Sequence, residues 1–231
     1  MQATSAADLR ERARRLGVAL DADMAEKLLQ LLDELAHWNR AFNLTAIEGR
    51  EAMVASHLLD SLAAHGDLAG ERIADLGTGA GFPGLPLAVA NPVRQFTLID
   101  ATAKKVRFVA HAARVLGLAN VHALQARAER LRPDQPFDTI LARAVAPLAE
   151  LARLAAPLSR PGTRLLAFKG RRPDAELAMI PAGWQLAGVR ALSIPGLDAE
   201  RCLVTLLACS PSPTAAQVLP QVPELPYTNG S

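Results

Sequence analysis

The segment from Asp75 to Gly84, DLGTGAGFPG, has glycine at positions 77, 79 and 81. Glycine tolerates positive φ and lets the backbone approach a ligand closely, so a glycine-rich turn from strand to helix is typical of a nucleotide site at the carboxyl edge of a parallel sheet. A dinucleotide fingerprint, G-x-G-x-x-G, would need a small residue where this chain has Phe82. The motif disfavours NAD and favours a ligand without phosphates, held by the backbone of Gly77, Gly79 and Gly81 and by the edge of Phe82.

Asp100 is the second candidate, because it ends the apolar run FTLID 23 positions after Gly77. A carboxylate at the tip of the second strand can accept hydrogen bonds from both ribose hydroxyls of an adenosine group. Taken alone, Asp100 could equally be an ordinary strand-ending carboxylate. Together with the glycines it predicts S-adenosylmethionine as the cofactor, ahead of a nucleotide cofactor or a glycine turn without a ligand.

From Arg72 onward, short apolar runs alternate with helical stretches. Strands are predicted at Arg72–Leu76, Gln95–Asp100, Val121–Gln125, Asp138–Ala142, Thr163–Phe168, Trp184–Leu192 and Cys202–Cys209, and helices at 84–90, 103–116 and 146–158. This alternation predicts a parallel sheet, and the short loop before the last strand predicts an antiparallel pair. The expected fold is α/β: a class I S-adenosylmethionine-dependent methyltransferase (Rossmann-like) fold, with a mainly parallel seven-stranded sheet and an antiparallel C-terminal strand.

The first 70 residues are predicted to form a small N-terminal helical lobe. Asp21 is a candidate N-cap, and apolar residues follow it at steps of three and four from Met24 to Phe42. A further helix is predicted from about Glu51 to His65. The expected domains are the helical lobe at 1–70, a methyltransferase domain at 71–209 and a proline-rich, extended or disordered tail at 210–231.

Composition and charge narrow the possible functions. With 50% hydrophobic and 21% charged residues the chain is globular, and with 4% aromatic residues a stacking platform for single-stranded nucleic acid is disfavoured. The net charge of +2 says little, but residues 94–172 hold 15 basic and 5 acidic side chains, whereas residues 1–70 hold 7 and 11. A polyanionic partner is expected at the basic part of the chain.

Cys202 and Cys209 are the only cysteines, and their odd spacing in a strand-like run sends them to opposite faces, so no disulfide is expected. The sequence has no G-x-S-x-G, H-E-x-x-H or paired-cysteine motif, so hydrolase and zinc chemistry lose support and no metal is expected. The chain also shows no secretory leader and no apolar stretch of about 18 residues. We expect a cytoplasmic monomer that does not bind a membrane.

Seven blocks of the sequence occur in a characteristic order. They are WNRAFNLTAI from Trp38, HLLDSL from His57, DLGTGAGFPGLPLA from Asp75, DATAKKVRFV from Asp100, ARAERL from Ala126, LARAVAPL from Leu141 and FKG from Phe168. Over roughly residues 24–209 the chain resembles the RsmG (GidB) family of bacterial 16S rRNA guanine-N7 methyltransferases. The resemblance implies methyl transfer from S-adenosylmethionine to N7 of a guanine, with 16S rRNA or the small ribosomal subunit as partner. Ala101 stands where the family commonly has serine, which weakens one expected polar contact in the cofactor site.

The same resemblance implies cofactor contacts at Gly77, Phe82, Ala128, Glu129 and Arg143. Ala128 and Glu129 follow the third strand, where a backbone N–H and a carboxylate can read the polar edge of an adenine. The alternative for Glu129 is an ion pair in solvent with a neighbouring arginine. Arg143 ends the fourth strand and is a candidate for positioning the acceptor, the alternative being a surface arginine.

Two further groups of polar residues have competing interpretations. Lys169, Arg171 and Arg172 follow the fifth strand at the same edge as the glycine turn, so they are predicted to contact RNA phosphates, unless they form an ordinary solvated loop. His57 and Asp60 are too few to make a metal site. His57 is expected to be a satisfied polar group at the lobe junction, and Asp60 a cap or an interlobe hydrogen-bonding group.

Guanine N7 carries an in-plane lone pair and no proton at neutral pH. Methyl transfer to it therefore needs alignment and no general base, and no catalytic base is assigned. Arginine usually reads guanine through O6 and N7 together, so basic side chains are expected to hold O6 or phosphate only. Two other functions stay open: methylation of a protein or small molecule, and a non-catalytic RNA-binding or adenosyl-ligand-sensing module.

Overall fold

The computed structural model describes residues 4–209, so the predicted tail at 210–231 lies outside the described residues. The chain forms one seven-stranded sheet in the order β3-β2-β1-β4-β5-β7-β6. Its strands are β1 (Arg72–Leu76), β2 (Gln95–Asp100), β3 (Val121–Gln125), β4 (Thr139–Arg143), β5 (Arg164–Lys169), β6 (Trp184–Ala191) and β7 (Cys202–Ala208). Strands β1 to β5 pair in parallel, and β7 is antiparallel to β5 and β6. The predicted fold class is confirmed.

Eight α-helices lie in the described part of the chain: α1 (Ala6–Arg14), α2 (Ala22–Phe42), α3 (Arg50–Met53), α4 (Asp60–Leu62), α5 (Gly84–Ala90), α6 (Ala103–Val115), α7 (Leu148–Ala155) and α8 (Asp174–Leu177). Asp21 caps α2 as predicted, because its carboxylate accepts a hydrogen bond from the backbone N–H of Met24 at 2.7 Å. The helix predicted over 51–65 is interrupted between α3 and α4 by a π-helical segment, Val54–Leu59. Such widened turns are frequent at functional sites.

Strands β4 and β5 each begin and end one residue later than predicted. Asp138 lies just before β4, and its carboxylate accepts hydrogen bonds from the backbone N–H groups of Glu71 and Arg72. Thr163 lies just before β5, and its hydroxyl donates to the carbonyl of Phe137. The shift places Arg143 inside β4, in register with Phe168 of β5.

The sheet carries apolar residues on both faces. One buried cluster joins the N-terminal helices to α5, α6 and the sheet, and includes Leu28, Leu31, Leu32, Leu35, Leu85, Phe96, Phe108 and Val109. The other cluster packs α7 on the opposite face. The first cluster contains residues from both sides of residue 70. The division of the chain into a helical lobe at 1–70 and a methyltransferase domain at 71–209 therefore stays a prediction.

Both cysteines are free, Cys202 buried and Cys209 exposed, as their spacing predicts. Within residues 4–209 no helix combines the length and the apolar character that crossing a membrane would need.

Candidate active site

The glycine turn connects β1 to α5 at the carboxyl edge of the sheet. Gly77, Gly79 and Gly81 all have positive φ, at 65°, 61° and 86°. A Cβ on Gly77 would lie 2.7 Å from Cγ2 of Val145, and one on Gly81 would collide with Leu85. A Cβ on Gly79 would meet only the carbonyl oxygen of Gly77, at 4.0 Å. Gly79 therefore borders open space, which leaves room for a ligand beside it.

Asp75 holds the two ends of this turn together. Its Oδ2 accepts hydrogen bonds from the hydroxyl of Thr78 at 2.6 Å and from the backbone N–H of Gly84 at 2.9 Å. Burial raises the pKa of Asp75 to about 6, although both hydrogen bonds act in the opposite direction. The carboxylate is therefore a structural brace inside the loop.

Asp100 lies directly beside the turn, as the sequence predicts. The carboxylate is buried at 7% exposure, and its Oδ2 accepts from the backbone N–H of Gly79 at 3.1 Å. Its Oδ1 accepts from the backbone N–H of Thr102 at 2.8 Å, and Nζ of Lys105 lies 3.6 Å from Oδ2. The tip of β2 and the open glycine thus form one site.

The other predicted cofactor residues follow at the same edge. Ala101 is exposed just after β2, and Ala128 and Glu129 lie in a short 3₁₀ helix, Ala128–Arg130, after β3. Asp100 and Gln125 end their strands in register, so the two loops are adjacent. Glu129 is exposed and makes no ion pair within residues 4–209, which argues against its solvent-pair alternative.

Arg143 crosses from the sheet to the N-terminal helices. Its Nη1 donates to the carbonyl of Ser56 and to Oδ2 of Asp60, both at 3.0 Å. Its Cζ lies 5.7 Å from the ring centroid of Phe82, and 19% of the side chain is exposed. Arg143 is therefore not a surface arginine, and Asp60 is an interlobe hydrogen-bonding group, as predicted.

Phe82 is buried between the glycine turn and His57. The two rings stack with centroids 4.5 Å apart and an interplanar angle of 19°. The Nε2 atom of His57 forms a hydrogen bond with the hydroxyl of Thr45 at 3.0 Å, but its Nδ1 is buried without a partner. His57 is therefore satisfied at Nε2, as predicted, whereas its Nδ1 has no partner among the described residues. Burial, and then the charge of Arg143, lower the pKa of His57 to about 4, so the ring is neutral at pH 7.

Asn39 fixes the loop that supports His57. Its Oδ1 accepts from the backbone N–H groups of Leu44 and Thr45 at 2.6 and 2.9 Å, and its Nδ2 donates to the carbonyl of Thr45 at 3.0 Å. Asn43 ends α2 with a φ of 49°. Both asparagines therefore lie at the C-terminal end of α2, where Asn39 also sets the position of Thr45.

A cavity of about 360 Å³ opens where the π-helical segment faces the ends of β4 and β5. Its polar lining comprises Ser56, His57, Asp60, Arg143, Lys169 and Arg201. Ala144, also in the lining, has a φ of 56°, a strained conformation of the kind found at functional sites. We call this space the acceptor cavity below.

Ser56 and Arg201 are the polar cavity residues that the sequence analysis does not identify. Arg201 directly precedes β7, whose first residue, Cys202, pairs with Lys169 at the end of β5. An antiparallel last strand begins at the edge where the parallel strands end, and this topological rule was the available signal.

The predicted basic loop after β5 is divided in the structure. Lys169 is 16% exposed, and its Nζ donates to the carbonyl of Ala146 at 3.1 Å and to Glu176 at 2.8 Å. Burial raises the pKa of Glu176, but hydrogen bonds from Lys169 and from the backbone N–H of Leu148 leave it below the usual value. Arg171 and Arg172 are exposed, and Arg172 pairs with Asp174 at 2.7 Å.

The described residues contain no group of three histidine, cysteine or carboxylate side chains that could hold a metal ion.

Two features together define a class I S-adenosylmethionine-dependent methyltransferase: a parallel sheet with an antiparallel β7, and a glycine turn hydrogen-bonded to the carboxylate that ends β2. TrmN from Thermus thermophilus has a similar structure, with a TM-score of 0.53 and 26% identity over 74% of this chain and 53% of that chain. Aeropyrum pernix fibrillarin bound to S-adenosylmethionine has the same fold, with a TM-score of 0.50 and 18% identity over 60% of this chain and 66% of that chain.

The particular family follows from sequence. The chain belongs to the GidB family, described as rRNA small subunit methyltransferase G, whose family model matches residues 24–204. A relative from Methylococcus capsulatus, named ribosomal RNA small subunit methyltransferase G, is 50% identical over 191 residues, which cover 83% of this chain and 93% of the relative. A relative of the same name from Stenotrophomonas maltophilia is 47% identical over 206 residues, which cover 89% and 96%. The expected family is confirmed.

Proposed function

We propose that this protein transfers a methyl group from S-adenosylmethionine to N7 of a guanine in 16S rRNA, acting as a cytoplasmic monomer. The observation that carries the proposal is a polar acceptor cavity next to a glycine turn bonded to Asp100, in a chain of the GidB family. Its partner is 16S rRNA or the small ribosomal subunit.

The residues at the carboxyl edge fit the cofactor, since Gly79 borders open space and Asp100 is held beside it. Backbone atoms of Gly77, Gly79 and Gly81 would hold the amino-acid part, together with the edge of Phe82. Asp100 would accept from the ribose hydroxyls, and Ala101, Ala128 and Glu129 would border the adenine. When bound, S-adenosylmethionine supplies an electrophilic methyl group on a sulfonium.

Within the acceptor cavity, the chain's own residues provide alignment. Because N7 carries no proton, no side chain has to act as a base. Methylation places positive charge on the guanine ring, so an uncompensated cation beside N7 would oppose the transition state. His57 is neutral, and the carboxylate of Asp60 lies 3.0 Å from Nη1 of Arg143 and compensates its charge. His57 and Arg143 can therefore position the acceptor without opposing the positive charge that develops on the guanine.

RNA would approach from the exposed side of the loop after β5. Arg171 and Arg172 are exposed there, and Lys169 lies between this loop and the acceptor cavity. We assign phosphate contact to these three residues, which belong to the segment with a surplus of basic side chains.

Mass spectrometry of digested 16S rRNA, from cells with and without the gene, tests the proposed function. We expect one 7-methylguanosine to be lost without the gene, and to be restored by the purified protein with S-adenosylmethionine. Unchanged 16S rRNA methylation would contradict the proposal, and labelling of a ribosomal protein would favour a protein substrate.

A further inference from the structure

We infer that Asp60 and Arg201 recognise the Watson–Crick edge of the target guanine, with Asp60 accepting hydrogen bonds from N1–H and from the N2 amino group. The inference rests on the proposed function and identifies how the acceptor cavity selects its base.

The starting observation is a pair of unpartnered polar atoms at the acceptor cavity. Asp60 is 3% exposed, and its Oδ1 has no hydrogen-bond partner within the described residues, while its Oδ2 is held by Arg143. His57, one helical turn earlier, is 6% exposed, and its Nδ1 is also without a partner. Both side chains line the same cavity. An acceptor oxygen that faces a cavity without a hydrogen-bond partner is a position at which a bound ligand can donate.

The chemistry of Oδ1 decides which part of a nucleotide can reach it. A carboxylate oxygen only accepts hydrogen bonds, so its ligand must supply donors, which excludes a phosphate. Guanine presents two neighbouring donors, N1–H and the N2 amino group, whereas adenine has an acceptor at N1. This edge is also remote from N7, so recognition here leaves N7 open to the methyl group.

Arg201 completes the pattern. Its Nε lies 3.6 Å from Oδ1 of Asp60, too far for a hydrogen bond, and its Nη1 donates to the carbonyl of its neighbour Glu200 at 2.9 Å. The side chain is 30% exposed, so it can turn aside and admit a base. Arg201 then donates to O6, while Oδ1 of Asp60, which has two lone pairs, accepts from both N1–H and N2. Together they place one donor and one doubly accepting oxygen opposite the edge at which cytosine places one donor and two acceptors.

A change in the substrate tests the inference without changing the protein. Small subunits are reconstituted with 16S rRNA in which the mapped target guanosine is replaced by inosine, which lacks only the N2 amino group. We expect the wild-type protein to methylate inosine with a kcat/KM roughly tenfold to a hundredfold lower than guanosine. Equal rates for the two bases would overturn the inference, whereas no methylation of guanosine itself would overturn the proposed function.

Variants then assign the discrimination to Asp60. Asp60→Asn should bring the ratio of guanosine to inosine kcat/KM close to one, and an unchanged ratio would reduce Asp60 to a structural partner of Arg143. Arg201→Gln should lower both rates by the same factor, since O6 is present in both bases. Asp67→Asn, which breaks the pair of Asp67 with Arg190 outside the cavity, is the control and should keep the wild-type ratio. If Asp60→Asn fails to fold, the wild-type comparison still decides.

Discussion

At the scale of single residues, a short series of contacts connects the N-terminal helices to the cofactor edge of the sheet. Asn39 fixes Thr45, Thr45 bonds to His57, and His57 stacks on Phe82. Phe82 belongs to the glycine turn whose Gly79 bonds to Asp100. The acceptor cavity and the proposed cofactor site therefore share a wall, which is the arrangement that transfer between two bound molecules requires.

Asp100→Asn should weaken S-adenosylmethionine binding by about 1.5 to 3 kcal/mol, the range for hydrogen bonds to a charged group. The amide oxygen can still accept one of the two backbone hydrogen bonds, so the fold should persist. Calorimetric titration measures the affinity, and thermal melting checks the fold. Asp134→Asn, the same change at an exposed site, is the control. An unchanged dissociation constant for Asp100→Asn would return this residue to a structural role.

His57 should make stability depend on pH. Its pKa of about 4 in the folded protein lies below the usual 6.5, so the unfolded chain binds the proton more readily. The contribution of the neutral ring is present above pH 6.5 and is lost as pH falls toward 4. The stability difference between the wild type and His57→Gln should therefore shrink by about 2 kcal/mol from pH 7 to pH 5.

Urea denaturation of both proteins at several pH values measures this difference. The variant is compared with the wild type because Asp75, whose pKa is raised to about 6, changes stability with pH in the opposite direction to His57. Since Asp75 is present in both proteins, its contribution cancels in the difference. Its contribution is present below pH 3.8 and is lost as pH rises through 6. A difference that does not change between pH 7 and pH 5 would contradict the neutral, buried state of His57.

The glycines and Asp100 could be predicted as partners because both depend on local rules: positive φ in a turn and a carboxylate at a strand end. The roles of His57 and Arg201 could not. His57 lies in a π-helical segment that the apolar pattern of 51–65 does not reveal, and its Nδ1 has no partner among the described residues. Arg201 reaches the cavity only through the reversed direction of β7.

Among the elements, the turn between β1 and α5 contains glycines with different surroundings: Gly77 and Gly81 face neighbouring side chains, and Gly79 faces open space. Gly79→Val should abolish cofactor binding, because its Cβ would enter the open space of the site. The substitution also strains a backbone with φ of 61°, so Gly17→Val provides a matched control. Gly17 has a φ of 77° and no atom within 4 Å of its would-be Cβ, and it follows α1 rather than a strand of the sheet. Thermal melting should show similar stability for the two variants. Calorimetric titration should show that only Gly79→Val has lost cofactor binding. Retained affinity in Gly79→Val would exclude this turn as the cofactor site.

The loop after β5 should contribute to RNA affinity through charge. Replacing Arg171 and Arg172 together with glutamine should flatten the dependence of log K on log salt by at most about two units. The pair of Arg172 with Asp174 is exposed and weak, so it can be exchanged for a phosphate. Filter binding of 16S rRNA at several salt concentrations measures the slope. The control replaces Arg14 and Arg15 with glutamine; both pair with Glu11 on α1. If the control changes the salt dependence as much as the loop variant does, the loop after β5 has no particular role in RNA binding.

Lys169 has a different position from the two arginines. It is held by Glu176 at 2.8 Å and lines the acceptor cavity. The basic run FKGRR predicts phosphate contact for all three cations, and the structure sets Lys169 apart because α8 brings Glu176 back to the end of β5. Sequence could place the run at the correct edge of the sheet, but not this long-range partner.

At the scale of the whole molecule, the N-terminal helices and the sheet share one apolar core, although the sequence pattern divides them at residue 70. The stripe predicted along α2 contacts α6 through Trp38 and Phe108, whose ring centroids are 5.6 Å apart. Ion pairs also cross the junction, from Arg143 to Asp60 and from Arg190 to Asp67. Packing contacts and ion pairs therefore cross the boundary that the sequence pattern places at residue 70.

We expect the described part of the chain to unfold as one cooperative unit. The two tryptophans of the protein report on its two parts, because Trp38 lies in α2 and Trp184 begins β6. Each tryptophan can be followed alone: Trp38 in the Trp184→Phe protein and Trp184 in the Trp38→Phe protein. When a second substitution is added, urea denaturation should give the same change in the free energy of unfolding in both proteins. Leu35→Ala, at a fully buried position of α2, should lower stability by about 2 to 5 kcal/mol in both backgrounds. Leu186→Ala, at an exposed position of β6, should change it by less than about 0.5 kcal/mol in either. A Leu35→Ala effect confined to the Trp38 signal would show that the helical lobe unfolds separately, and the acceptor cavity between the two parts would then open without global unfolding.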